Sequence, residues 1–414
     1  MASDLGPVLK AAYPKVVATL VRVLGDMDRA MDATQDALVK ALKVWQQDGV
    51  PANPVAWLVT VGRNQAIDQL RRETRSVSLD SNVVPLIVEP AAEPAEIGEL
   101  DWAEVDDDLL RLMFTCCHPA LKPPAQITLM LKVVLGFSVE EIARGLLATP
   151  ASVEKRITRA KQRLRDAAAT YDVPRSQELP ERLDAVLKAI YLLFNEGYTR
   201  IQDASLTHSS LIDVAIRLGR MTCRLCRHDA QPRALLALML LSASRLPGRL
   251  DAGGMFVPLA EQDRGRWDKA MIREGVALID AVCVGRHRPG AYQIQAAISA
   301  LHCQAASAED TDWPQIVALY ETLKGYDASP VVPVNQAVAH CYCGEADEAL
   351  AQLEAPELAS TLQDYQPYQV ALAFACERAG QTQRAICALE RAIELAPSPA
   401  QRRYLTQRLD ALQA

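Results

Sequence analysis

Evenly stepped arginines carry the clearest chemistry in this chain. Between Ser138 and Arg165, the side chains of Ser152, Arg156, Arg159 and Arg163 fall on one helical stripe, with Lys155 beside them. A guanidinium is a planar fork that grips a phosphate, or the O6/N7 edge of guanine, through two hydrogen bonds. Val153, Ile157, Ala160 and Leu164 recur at steps of four, three and four, so the same helix has an apolar stripe to bury. An ordinary amphipathic helix with a solvated basic face has a similar composition, and the residues upstream separate the two readings. Ser138 with Glu141 three positions later is a capping-box start. Val139, Ile142, Ala143 and Leu146 then give a short helix one apolar face. Leu147, Ala148 and Thr149 read as a turn, with Thr149 as a cap and Pro150 where a first-turn proline is tolerated. The pattern predicts a helix-turn-helix whose second helix enters a major groove.

A second basic cluster, Arg63, Arg71, Arg72 and Arg75, precedes an acidic run from Glu89 to Asp108 that contains no basic residue. With a net charge of −7 over 414 residues, the chain is no general nucleic-acid binder. Its charge comes in blocks, which suits two DNA-facing patches and a basic partner between them. A solvated acidic linker accounts for the middle block equally well. No Walker loop, dinucleotide fingerprint or HExxH occurs, and no Ser-His or Cys-His pair stands out among six histidines. No enzymatic activity is expected.

The elements that must position these residues are helical. Strand signals are sparse, and apolar residues recur at steps of three and four, so the fold class is all-α. One long amphipathic segment is expected from Val8 to Trp45, then a turn over Asp48–Pro54 and a helix from Val55 to about Arg75. The expected division is a first unit at 1–78, an acidic linker at 79–104 containing Pro85, Pro90 and Pro94, a helix-turn-helix domain at 105–172, and helical hairpins over 180–414. Gly344, Ala349 and Leu353 match Gly380, Ala385 and Leu389 at an offset of 36, and Ala392 and Pro397 complete the second unit. The pattern is that of a tetratricopeptide-like (TPR-like) repeat, which buries its faces only against neighbours.

Taken together, these segments resemble extracytoplasmic-function (ECF) sigma factors of RNA polymerase. Asp32-Ala33-Thr34-Gln35-Asp36-Ala37, Trp57-Leu58, Arg63-Asn64 and Ile67-Asp68-Gln69-Leu70-Arg71-Arg72 look like sigma region 2. Ser152-Val153-Glu154-Lys155-Arg156-Ile157-Thr158-Arg159-Ala160 with Leu164 looks like the recognition helix of region 4, with Glu154 where a basic or neutral residue is usual. Phe194-Asn195-Glu196-Gly197-Tyr198 and Thr311-Asp312-Trp313 are among segments similar to a subgroup with long TPR-like C-terminal extensions. The resemblance implies two partners, core RNA polymerase and promoter DNA. It assigns Asp32, Gln35 and Asp36 to polymerase binding. Asn53, Arg63, Asn64, Arg71 and Arg72 go to the −10 element, and Ser152, Lys155, Arg156, Arg159 and Arg163 to the −35 element. For Asn53 a purely turn-shaping role before Pro54 stands beside the base-reading one. The extension is expected to contact the sigma domains or polymerase and to govern activity. The alternative is a helix-turn-helix regulator whose repeats bind a ligand or peptide.

Other features point to less. Cys223-x-x-Cys226 with His228 is half of a zinc pattern, and without a second half no metal or other cofactor is expected. Trp267, Tyr292 and Trp313 suit either a core or a ligand groove, with core the commoner use. Met1 to Pro14 carries Asp4 and Lys10 and no long apolar run, so neither a signal peptide nor a membrane span is expected. The ten cysteines should then be reduced in a cytoplasmic protein.

Overall fold

The computed structural model describes residues 5–77, 102–146, 148–167, 179–200, 207–251, 255–284, 289–396 and 399–413. Among them the chain is helical throughout, relieved only by an isolated antiparallel bridge between Leu250 and Phe256. No helix among the described residues is long and apolar enough to cross a membrane. The chain divides into two compact units, 1–193 and 194–414.

The first unit opens with three mutually packed helices, α1 (Gly6–Leu24), α2 (Met27–Asp48) and α3 (Pro54–Val77). The single segment expected from Val8 to Trp45 is in fact α1 and α2. Gly25 closes α1 in the left-handed region at φ 67°, and the Asp26 side chain caps α2 by accepting from Arg29 N. Periodicity ran through the break because both helices bury a stripe into one core: Val16, Val17 and Leu20 from α1, and Ala33, Ala37, Ala41 and Trp45 from α2. The edge of Trp57 meets Trp45 with ring centres 5.3 Å apart.

Four further helices complete this unit: α4 (Trp102–Cys116), α5 (Pro123–Leu129), α6 (Val139–Gly145) and α7 (Pro150–Asp166). A π-helical turn at Met130–Val134 continues α5. Helix α4 starts at Trp102, inside the span read as a linker; residues 79–101 of that span lie outside the described ones. Asp108, which ends the acidic run, is no solvated charge. Its carboxylate is buried, with Arg22 Nε of α1 at 2.9 Å and Arg111 Nη1 of α4 at 3.4 Å. Burial raises its pKa, and the two guanidiniums oppose that rise. Helix α8 (Leu179–Arg200) follows, and Arg182 Nη2 donates to Phe114 O of α4 at 3.1 Å.

In the second unit, α10 (Gln231–Ala243) is apolar all round and almost wholly buried, packed by α9 (Thr207–Leu225), α11 (Lys269–Cys283) and α12 (Ala291–Gln304). Cys223 and Cys226 sit at the end of α9, half-buried, and burial pushes their thiols up to about 12 and about 11. Among the described residues, no group of three or more His, Cys, Asp or Glu is gathered that could hold a metal ion. Hairpins follow: α13 (Trp313–Leu323) with α14 (Val331–Tyr342), then α15 (Ala346–Leu353), α16 (Pro356–Leu362), α17 (Gln366–Arg378), α18 (Thr382–Glu394) and α19 (Pro399–Gln413). The offset-36 repeat appears as α14–α15 and α17–α18. Gly344 and Gly380 turn each hairpin in the left-handed region at φ 82° and 71°, and Ala349, Leu353, Ala385 and Leu389 are buried at the helix contacts. Pro356 breaks the second helix of the first hairpin into α15 and α16.

Arg22→Met removes the nearer of two guanidiniums from the buried Asp108 carboxylate, and urea unfolding should show a loss of about 1–3 kcal/mol. Adding Asp108→Asn to that variant should recover part of the loss. His302 on α12 is buried beside Arg245 and Arg264, and burial lowers its pKa from 6.5 to about 3. The unfolded chain therefore takes up this proton first. Stability present at neutral pH should be lost as pH falls from about 6.5 toward 3, with a slope of up to ~1.4 kcal/mol per pH unit. His302→Gln should remove that slope from thermal melts taken across the window.

Candidate nucleic-acid interface

The helix-turn-helix is built by local bonds. Ser138 Oγ accepts from Glu141 N at 3.1 Å while Glu141 Oε2 accepts from Ser138 N at 2.7 Å, closing the capping box. Thr149 Oγ1 accepts from Ser152 N at 3.2 Å, and Pro150 opens α7. Val153, Ile157, Ala160 and Leu164 are buried against α5 and α6. That fixes the rotation of α7 about its axis. Ser152, Lys155, Arg159 and Arg163 are exposed, and the three cations have no acidic partner among the described residues.

Arg156 differs from the others on its stripe. It is half-buried, and its Nη1 donates to Thr128 Oγ1 of α5 at 3.3 Å. This side chain ties the recognition helix to its support. Lys161, which sequence reasoning passed over, pairs with Asp28 near the start of α2. That pair brings α7 next to the first three-helix group.

On α2, Asp32, Gln35 and Asp36 are all exposed, while Ala33, Thr34 and Ala37 between them are buried. The same helix exposes Val39 and Leu42, at 52% and 43%. The acidic patch therefore continues into an apolar one. Counting exposed apolar positions after the Asp-Ala-Thr-Gln-Asp-Ala segment was the signal that could have found it. Asn53 Oδ1 accepts from Ala56 N at 3.0 Å, so its oxygen caps α3. On α3, Arg63 is half-buried and Asn64 exposed. Arg71 is exposed, 3.9 Å from Asp68 Oδ1. Arg72 lies on the helix, with its side chain outside the described residues.

The first unit thus presents an exposed acidic helix, a capped loop leading to a basic helix, and a helix-turn-helix with a cationic face. Residues 8–76 match Sigma-70 region 2, and residues 111–164 match Sigma-70 region 4. Residues 182–283 match a family of unknown function, DUF6596. The chain is 41% identical over 408 residues to the uncharacterised protein R00370 of Rhizobium meliloti, covering 98% of this chain and 95% of that one. It is 24% identical over 198 residues to the ECF RNA polymerase sigma factor SigG of Mycobacterium tuberculosis, covering 42% of this chain and 53% of that one. Likeness to the crystal structure of yeast Tom70 is weak, with a TM-score of 0.36 and 15% identity over 98% of this chain and 83% of that one. The chain belongs to the family of R00370: ECF sigma regions 2 and 4 followed by a helical extension that matches DUF6596. Sigma factors carry out no bond chemistry; these regions serve binding to core polymerase and promoter DNA.

The two readings of Asn53 separate experimentally. Asn53→Ala should cost about 1 kcal/mol in thermal unfolding through loss of the cap. Asn53→Asp keeps the accepting oxygen and removes the amide donor. It should melt like the parent yet open promoter DNA less well in permanganate footprinting; equal opening would leave Asn53 as a cap only.

Proposed function

We propose that the chain directs core RNA polymerase to promoters through three surfaces, under the control of its own extension. The exposed face of α2, Asp32, Gln35 and Asp36 with Val39 and Leu42, docks on a basic, partly apolar surface of the polymerase. Opposed charges there speed encounter and fix register more than they add affinity. Asn53, Arg63, Asn64, Arg71 and Arg72 serve the −10 element, where an unstacked base edge meets an amide and phosphates meet the arginines. Ser152, Lys155, Arg159 and Arg163 serve the −35 element. Arg156 belongs to this set chiefly as the strut that holds α7 on Thr128. In this reading region 2 occupies 1–78, region 4 occupies 105–172 after the linker at 79–104, and the regulatory extension occupies 180–414.

The observation that carries the reading is the cationic face of α7. Lys155, Arg159 and Arg163 stand exposed and unpaired among the described residues of a chain whose net charge is −7. Three exposed cations on one helical face offer phosphate a multivalent contact.

Run-off transcription with core polymerase on a selected promoter library tests it. The full chain should support transcription. Arg159→Ala should weaken all promoters alike and lower the salt slope by about one if it contacts phosphate, or cost about 1–3 kcal/mol at a single base position if it reads a base. Truncation should follow Arg200, the end of α8, because Arg182 of that helix bonds to α4. A change in output on truncation supports control by the extension, and identical output rejects it.

A further inference from the structure

The second unit holds a half-open cavity of about 940 Å3. Its walls come from the inner faces of α12, α13, α14, α17 and α19 and from the segment between α10 and α11. That segment reaches across to the last helix: Phe256 meets the Tyr404 ring edge-on at 6.0 Å, and Tyr404 Oη donates to Glu261 Oε1 at 3.1 Å. These contacts wall the cavity on the side of α19. Its volume lies at the upper end of small-molecule sites, about 300–1,000 Å3.

The lining is aromatic on one side. Trp313 and Tyr342 stack with ring centres 4.0 Å apart and planes 7° off parallel, and Phe374 continues the row 5.2 Å from Tyr342. Trp313, for which the sequence left core and ligand groove both open, lines this cavity; Trp267 is buried. The charged groups facing the cavity are nearly all engaged. Arg264 donates to His302 O, Ala305 O and Thr311 Oγ1; Arg408 pairs with Glu377 at 2.7 Å; and Glu261 accepts from Tyr404. Two groups are exceptions: Glu377 Oε1, buried with no partner, and Arg245. Arg245 is half-buried on the cavity wall, and among the described residues its guanidinium has no acceptor. His302 is 8% exposed, and its buried Nδ1 has no partner either. A buried polar atom left unpaired costs about 1–3 kcal/mol, as for His302 Nδ1 and Glu377 Oε1, and with the unpaired, half-buried Arg245 guanidinium they mark where a ligand's polar end belongs.

We propose that this cavity binds a small organic anion, a planar apolar body bearing one carboxylate or sulfonate, with Arg245 gripping the anion, His302 Nδ1 as a second polar contact, and the Trp313–Tyr342–Phe374 row against the apolar body. The low pKa of His302 keeps it neutral at physiological pH, so Arg245 supplies the charge. The site lies wholly within the second unit and does not depend on the promoter reading. Failure of either leaves the other standing.

The probe is 1-anilinonaphthalene-8-sulfonate (ANS), titrated into the full-length chain by fluorescence, with the uncharged N-phenyl-1-naphthylamine beside it. One ANS should bind per chain, saturably. Arg245→Gln should weaken ANS at least tenfold and change the neutral probe less than twofold. Val370→Trp, which narrows the cavity at its α17 wall, should weaken both, with far-UV circular dichroism and the thermal melt unchanged. Displacement of ANS by 1-naphthoate supports a free organic acid as occupant. Displacement only by an acetylated pentapeptide ending in a phenylalanine carboxylate would overturn the proposal in favour of a chain terminus. So would an equal effect of Arg245→Gln on both probes, ANS affinity that is unchanged by Val370→Trp, or no saturable binding at all.

Discussion

A helix can hide one stripe, and in this molecule the hidden stripe decides what each functional helix offers its partners. Val153, Ile157, Ala160 and Leu164 anchor α7, so Lys155, Arg159 and Arg163 have nowhere to point but outward. Ala30, Ala33, Thr34, Ala37, Ala41 and Trp45 do the same for α2, leaving its carboxylates and two apolar side chains on the surface. The small residues in the α2 stripe let its backbone approach α1 and α3 closely. Neither surface depends on a loop, and a site carried on a packed helix is held more precisely than one on a loop.

Charge also ties these surfaces together. Asp108 is buried between Arg22 of α1 and Arg111 of α4, and Lys161 of the recognition helix pairs with Asp28 of α2. A buried ion pair adds little net stability, because desolvation offsets most of the attraction, but losing one partner is costly. Such a contact specifies an arrangement more than it strengthens one. Here it sets region 4 against region 2 within the first unit, with part of the recognition helix engaged by its neighbour.

The helix-turn-helix was legible almost residue by residue, because its signals are local: a hydroxyl and a glutamate three positions apart, a threonine before a proline, an apolar step of four, three and four. The hairpin repeat was legible for a related reason, since Gly344 and Gly380 meet the same turn twice. The break at Gly25–Asp26 carried its own signal, a left-handed glycine followed by a capping aspartate, which the apolar rhythm running through it masked. What sequence could not supply depends on distant partners. Asp108 reads as one more acid in a run until Arg22, 86 positions away, is beside it. Arg156 reads like Arg159 until Thr128 takes it. The cavity draws on residues from Arg245 to Arg408 and has no linear motif.

In the proposed function these surfaces serve the chain by mounting it on core RNA polymerase. The most direct measurement is size-exclusion chromatography of the purified chain with core RNA polymerase, without DNA, beside a gel shift of promoter DNA by the chain alone. The account predicts a stable complex with polymerase, lost when Asp32 and Asp36 are both replaced by lysine, and weak shifting of free duplex. A chain that ignores polymerase and shifts a specific duplex unaided would contradict it, and would identify a regulator that reads its operator directly.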